Sequence, residues 1–137
     1  MDIKALAVII PYLINFILLY NRKKNWAKGK NRWFGVSVLF LTGLVILLTV
    51  KEPEINKYKF AVWGILTPFI FSVIDYVFKI LSFSLHDRDL YLWLRGSSDI
   101  DDSKLSGGKH VRASDRIFSM IMLFTVIFLP FIGMIVL

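Results

Sequence analysis

Cysteine is absent from the 137 residues. Disulfides, zinc–thiolate sites and a cysteine nucleophile are therefore excluded. Histidine occurs only twice, which leaves little room for a His-rich metal site. Acidic residues are scarce as well: 10 Asp and Glu stand against 17 Lys and Arg, a net charge of +7. What is plentiful is apolar. Hydrophobic residues make up 56% and aromatic residues 15%, and the mean hydropathy is +0.63. One soluble core of this size cannot hide so much apolar surface. On a soluble chain the basic excess would point to nucleic acid. Here the basic residues sit between long apolar runs, so the expected partner is membrane lipid, with no direct nucleic-acid contact.

Four runs predict helices that cross a bilayer. Ala5 to Tyr20 holds 16 residues without a charge, and Trp33 to Val50 holds 18. Phe60 to Leu85 holds 26, interrupted by Asp75 and Lys79, and Ile117 to Leu137 holds 21. At ~1.5 Å per residue the second and fourth match a ~30 Å hydrocarbon core. The first is short and is expected to recruit Ile3 and the stem of Lys4. The third is overlong and is expected to tilt or to continue inward as helix. The runs do not alternate with period two and are too long for barrel strands. Lipid also demands that backbone groups pair within their own segment. The predicted fold is an all-α, integral-membrane four-helix bundle. It forms one domain over residues 1–137, with spans at about 3–20, 33–50, 60–85 and 117–137.

The connections 21–32 and 86–116 carry six Lys or Arg each, twelve together, against four in residues 1–4 and 51–59. The positive-inside rule then puts the two longer connections in the cytoplasm and both chain ends outward, in a bacterial inner membrane. The first span lacks a basic leader and a small-residue cleavage pattern, so it reads as an uncleaved anchor. Gly96 to Lys109 lacks apolar periodicity and reads as a flexible loop. Ser114 and Asp115 are candidates to cap the last helix.

Asp75 lies 15 residues past Phe60, ~22 Å along a straight helix, in the inner half of the membrane. A charge at depth costs ~2.5–3.5 kcal/mol and faces protein or water. Lys79 follows four residues later on the same face, so the pair can close an ion bridge within the helix. Alternatively, Asp75 contacts another helix or a polar path. Asn15 is placed to hydrogen-bond across a helix interface. Pro11, Pro68 and Pro130 free backbone carbonyls, and Gly35 and Gly43 allow close helix approach. Leu85 to Gly96 (LHDRDLYLWLRG) reads as a helix or bent helix at the inner surface. Its Arg88, Tyr91, Trp93 and Arg95 either anchor in head groups or form a docking surface for a protein.

Enzyme constellations are poor. Asp99, Asp101 and Asp102 begin like a calcium loop, but Lys104 and His110 occupy the positions that need Gly and Glu. There is no phosphate-binding Gly loop and no supported Ser/His/Asp set. No catalytic residue, metal ligand or cofactor is assigned. A small lipid-processing membrane enzyme that uses these Asp residues with magnesium is the second alternative.

The carboxyl half carries Pro68, then Asp75 seven residues on, an Arg-Asp-Leu-Tyr stretch at Arg88 to Tyr91, a polar loop, and Leu129-Pro130-Phe131 in the last span. From about Thr67 to Val136 this order resembles the small polytopic immunity proteins for pore-forming colicins. It departs from them in spacing, since Asp89-Leu90-Tyr91 falls about one helical turn late. The resemblance implies a non-enzymatic inner-membrane protein that recognises a toxin's transmembrane helices. Asp75, Lys79, Arg88, Asp89, Tyr91, Trp93 and Arg95 are the candidate partner contacts. The first alternative is an oligomeric channel or sensor subunit of an antiviral defence system, docking a soluble partner at its cytoplasmic face. Because a lone acid at depth needs shielding, a homo-oligomer or tight partner complex is expected.

Overall fold

A computed structural model describes residues 3–51 and 54–136. The expected end of the last span at Leu137 lies outside the described residues, as do the side chains of Ile3 and Lys4. Four α-helices are present and, among the described residues, no strand: α1 Ile3–Tyr20, α2 Gly29–Thr49, α3 Glu54–His86 and α4 Ala113–Val136. A 3-10 turn, Asn25–Ala27, sits before α2. Three stretches, Gly29–Thr49, Tyr58–His86 and Ala113–Gly133, are long and apolar enough to cross a membrane. Ala5–Tyr20 is apolar but shorter.

The helix boundaries differ from the apolar runs in informative ways. α2 begins four residues before Trp33 and so takes Arg32 into its first turn. α3 has 33 residues, about 50 Å of helix, but its extra length lies at the Glu54 end. It does not continue past His86. Asp87 takes a left-handed conformation, φ 55°, and its N–H bonds the Phe83 carbonyl at 2.9 Å, which closes the helix. The Leu85 to Gly96 stretch is therefore not a surface helix: residues 87–112 are irregular.

α3 is the central element and packs against the other three, while α1 also packs on α4 and α2 rests mainly on α3. Phe71, Leu19, Met122 and Val126 form the core, joined by Leu90, Leu92 and Leu94 from the irregular segment.

Two of the three helix prolines, Pro68 and Pro11, each free a carbonyl that the packing meets. Pro68 cannot bond Gly64 O, so the Thr67 hydroxyl donates to it at 2.9 Å. Asn15 Nδ2 from α1 donates to the same Thr67 oxygen at 3.2 Å. Separately, the Leu129 carbonyl on α4 accepts from Trp63 Nε1 at 2.8 Å. Pro11 frees Ala7 O, and α3 passes over it at Gly64. A Cβ on Gly64 would stand 2.5 Å from Pro11 Cγ and 2.7 Å from Ala7 O. Gly64→Ala should therefore push α1 off α3 and cost about 1–3 kcal/mol. Unfolding in mixed detergent micelles measures it, and an unchanged midpoint contradicts the close approach. Gly43 acts similarly between α2 and α3, where a Cβ would meet Leu66 Cδ2 at 2.8 Å. Gly35 faces open space and brings no helices together.

Candidate functional site: a charge network beneath a folded lid

Asp75 sits on α3 with 6% of its surface exposed. Its partner is not Lys79, whose side chain is exposed. Two arginines from the basic connection reach it instead. Arg22 Nε donates to Asp75 Oδ1 at 2.9 Å, and Arg32 Nη1 donates to Oδ2. Arg32 Nε also donates to Ser72 Oγ, one turn before Asp75, at 3.0 Å. The expected bridge within the helix fails for a simple reason. A Lys one turn away offers a flexible point charge, whereas two planar guanidinium forks occupy both carboxylate oxygens. Such buried charges persist only when paired and hydrogen-bonded.

Arg22 links this pair to the irregular segment. Its Nη2 donates to Asp89 Oδ1 at 3.1 Å and its Nη1 to the Leu90 carbonyl at 3.4 Å. Burial alone would lower the Arg22 pKa. The fields of Asp75 and Asp89 and their hydrogen bonds outweigh it, so the guanidinium is held above its ordinary value and stays charged.

Residues 87–112 form a lid over this end of the helices. Leu90, Leu92 and Leu94 alternate inward with 0%, 1% and 7% exposure, as one face of an extended strand does. No neighbouring strand satisfies their backbone, so side chains do. Leu90 N donates to Asp89 Oδ1, Tyr91 N to Asp115 Oδ1, Leu92 N to Asp99 Oδ2 and Trp93 N to Ser119 Oγ, all at 2.8–3.1 Å. Asp115, fully buried, is the second hub. It accepts both Arg88 Nη atoms at 3.2 and 2.8 Å, Tyr91 N, and Arg112 N at 2.8 Å. Arg112 precedes α4, so Asp115 caps that helix from its third residue. Ser114, the other expected cap, instead meets His86 Nε2, while Arg112 Nη1 meets His86 Nδ1. The Asp115 hydrogen bond is the largest influence on Arg88 and raises its pKa.

The stretch expected to be loose, Gly96 to Lys109, is pinned at several points. Asp102 accepts Gly96 N, Lys23 Nζ reaches Asp99 Oδ2 at 2.8 Å, and His110 Nε2 meets the Asp99 carbonyl at 2.8 Å. Ser103 and Lys104 close a turn on Asp101 and hold its carboxyl down to about 2.

Of the seven candidate contacts, Asp75 and Asp89 belong to the Arg22 network. Arg88 and Tyr91 belong to the Asp115 network, with the Arg88 guanidinium 4.2 Å from the Tyr91 ring centroid. Trp93 packs within the lid against Gly107, where a Cβ would come 2.7 Å from its ring. Lys79 and Arg95 remain exposed, although the Arg95 carbonyl accepts the Tyr20 hydroxyl at 3.0 Å. Sequence reasoning did not single out Arg22, Arg32 or Ser72, and it took Asp115 only for a helix cap. Two signals were available. Arginine rather than lysine marks both ends of an otherwise Lys-only basic stretch. Leu90, Leu92 and Leu94 repeat with period two, not with a helical period.

Asp75, Asp89, Asp99, Asp102 and Asp115 each accept from a cation or a backbone N–H, as counter-ions and caps do. Among the described residues no group of three or more His, Asp or Glu side chains is placed to hold a metal. Comparison with protein families, curated proteins and solved structures found no match.

Proposed function

We propose that this chain is a non-enzymatic, four-span protein of the bacterial inner membrane that recognises transmembrane helices of another protein. Its lid lies in the cytoplasm and its chain ends face outward. In this it acts like the colicin immunity proteins that its carboxyl half resembles. The observation that carries the reading is the placement of α2. Because α2 rests mainly on α3, an apolar groove stays open between α1 and α2 over an α3 floor. It holds about 320 Å³ and is lined by Ile10, Pro11, Leu39, Ala61, Ile65 and Pro68, among others. Phe34, Leu41, Val45 and Leu48 are exposed on the opposite side of α2 from Leu39, so they form a separate apolar face and not part of the groove. An incoming helix would gain packing in the groove without displacing any buried polar group.

The second reading, a subunit docking a soluble partner at the lid, draws on Leu105, which is 99% exposed at the lid's tip. Self-assembly loses its original motive, because Arg22 and Arg32 shield Asp75 within one chain.

Growth protection against a panel of pore-forming toxins, with membrane abundance measured in parallel, separates the two. Ala61→Trp should fill the groove and remove protection at normal abundance, while Leu105→Ala should protect fully. Full protection by Ala61→Trp sinks the groove reading, and loss of protection with Leu105→Ala moves recognition to the lid.

A further inference from the structure

A second cavity, small and polar, lies between the start of α2 and the lid-side end of α3. It has a volume of about 60 Å³. That is room for several water-sized groups, and so for one tetrahedral oxyanion. Four cations line it, Arg22, Lys28, Arg32 and Lys79, against two carboxylates, Asp75 and Asp89. Both Asp75 oxygens are already taken by the arginines, and Asp89 Oδ1 is taken by Arg22. The lining therefore keeps an excess of positive charge.

Two independent features point to what belongs there. Arg32 is nine-tenths buried, yet its Nη2 has no hydrogen-bond partner among the described residues. An orphaned donor on a buried guanidinium is costly unless an acceptor fills the space beside it. The amino end of α2 opens on the same cavity through Lys28 and Gly29. Lys28, at the cap position, makes no side-chain cap bond, and the first turn has no acidic residue. Gly29 has open space around it. The first N–H groups and the positive end of the helix dipole are thus left for an outside acceptor.

We propose that this cavity binds a phosphate group, held by Arg32 Nη2 and the α2 amino terminus, with Lys28 and Lys79 closing over it. Trp33 and Tyr76 also line the cavity, with ring centroids 6.0 Å apart, edge to face. If the helices span a bilayer, this position lies at head-group level, where the phosphodiester of an anionic phospholipid is the abundant source. A free phosphate has the same chemistry. The site does not depend on the groove or on what occupies it.

The test uses the full chain in neutral detergent micelles. Its unfolding midpoint is followed while phosphatidylglycerol, or separately inorganic phosphate, is added against sodium chloride of matched ionic strength. Phosphatidylglycerol should raise the midpoint saturably. Lys28→Gln with Lys79→Gln should weaken the apparent affinity by about tenfold, since each removes a charge-assisted contact. Both lysines are exposed and outside the Asp75 ion pairs, so the double variant retains the fold. Arg32→Lys keeps the charge but removes the second fork nitrogen, and it should bind more weakly still. A saturable rise with inorganic phosphate alone supports the site and makes a small anion its source. No rise with either probe beyond that of sodium chloride overturns the proposal. So does a rise of equal affinity in the double-lysine variant.

Discussion

Asp75→Asn should be among the most damaging single changes in this protein, costing about 3–5 kcal/mol of stability. The reason is not the loss of one carboxylate but the two guanidinium groups it leaves behind. The Arg22 and Arg32 side chains are 4% and 7% exposed. The amide keeps one neutral acceptor oxygen, so one guanidinium loses residue 75 outright: Arg32 would then keep only Ser72, or Arg22 only Asp89 and a carbonyl. Unfolding by added denaturing detergent, read from tryptophan fluorescence, measures the cost. Two double variants identify the cause. Asp75→Asn with Lys79→Gln should be no better than Asp75→Asn, because Lys79 is not the partner. Asp75→Asn with Arg32→Gln should recover part of the loss, because one unpaired charge leaves with the acid. Recovery with the Lys79 change and none with the Arg32 change would restore the intrahelical pair.

Asp115→Asn should have the next largest effect, about 2–4 kcal/mol, and should act on the lid first. An amide keeps the shape and one acceptor oxygen. It removes the charge that holds the Arg88 fork, and its NH₂ faces the Tyr91 or Arg112 N–H. The extended Leu90 to Leu94 segment then loses its charged anchor to α4 and keeps only its hydrogen bonds to Ser119 there. Trypsin should cut after Arg95 and Arg88 many times faster in this variant than in the parent chain, while the apolar helices stay intact. Equal cleavage in both chains contradicts the assignment of Asp115 as the anchor.

The helices were legible because each is a long apolar run, and such runs declare themselves by length alone. α2 and α3 already exceed their runs, since polar residues at Gly29–Arg32 and from Glu54 onward continue a helix as well as apolar ones do. The site was half legible. Asp75 stands out by depth, and its need for shielding follows from its charge. Its partners do not, because Arg22 and Arg32 lie 53 and 43 residues away in sequence. A count of basic residues treats them as orientation signals. The lid was the least legible part. LHDRDLYLWLRG is amphipathic enough to pass for a surface helix, and only its two-residue leucine repeat says otherwise. Its hydrogen bonds go to carboxylates and a serine scattered from Asp89 to Ser119, which no local pattern announces.

Residues 87–112 are part of the fold, tied down by buried and half-buried carboxylates, and are neither a free loop nor a membrane-surface helix. Amide hydrogen exchange on the unmodified protein in lipid nanodiscs tests this most directly. The amides of Leu90, Tyr91, Leu92 and Trp93 each donate to a side-chain oxygen on the lid or α4. They should exchange at least about a hundredfold more slowly than Leu105 and Ser106 at the exposed tip. Exchange of all six at the same fast rate would show a free loop instead of a lid.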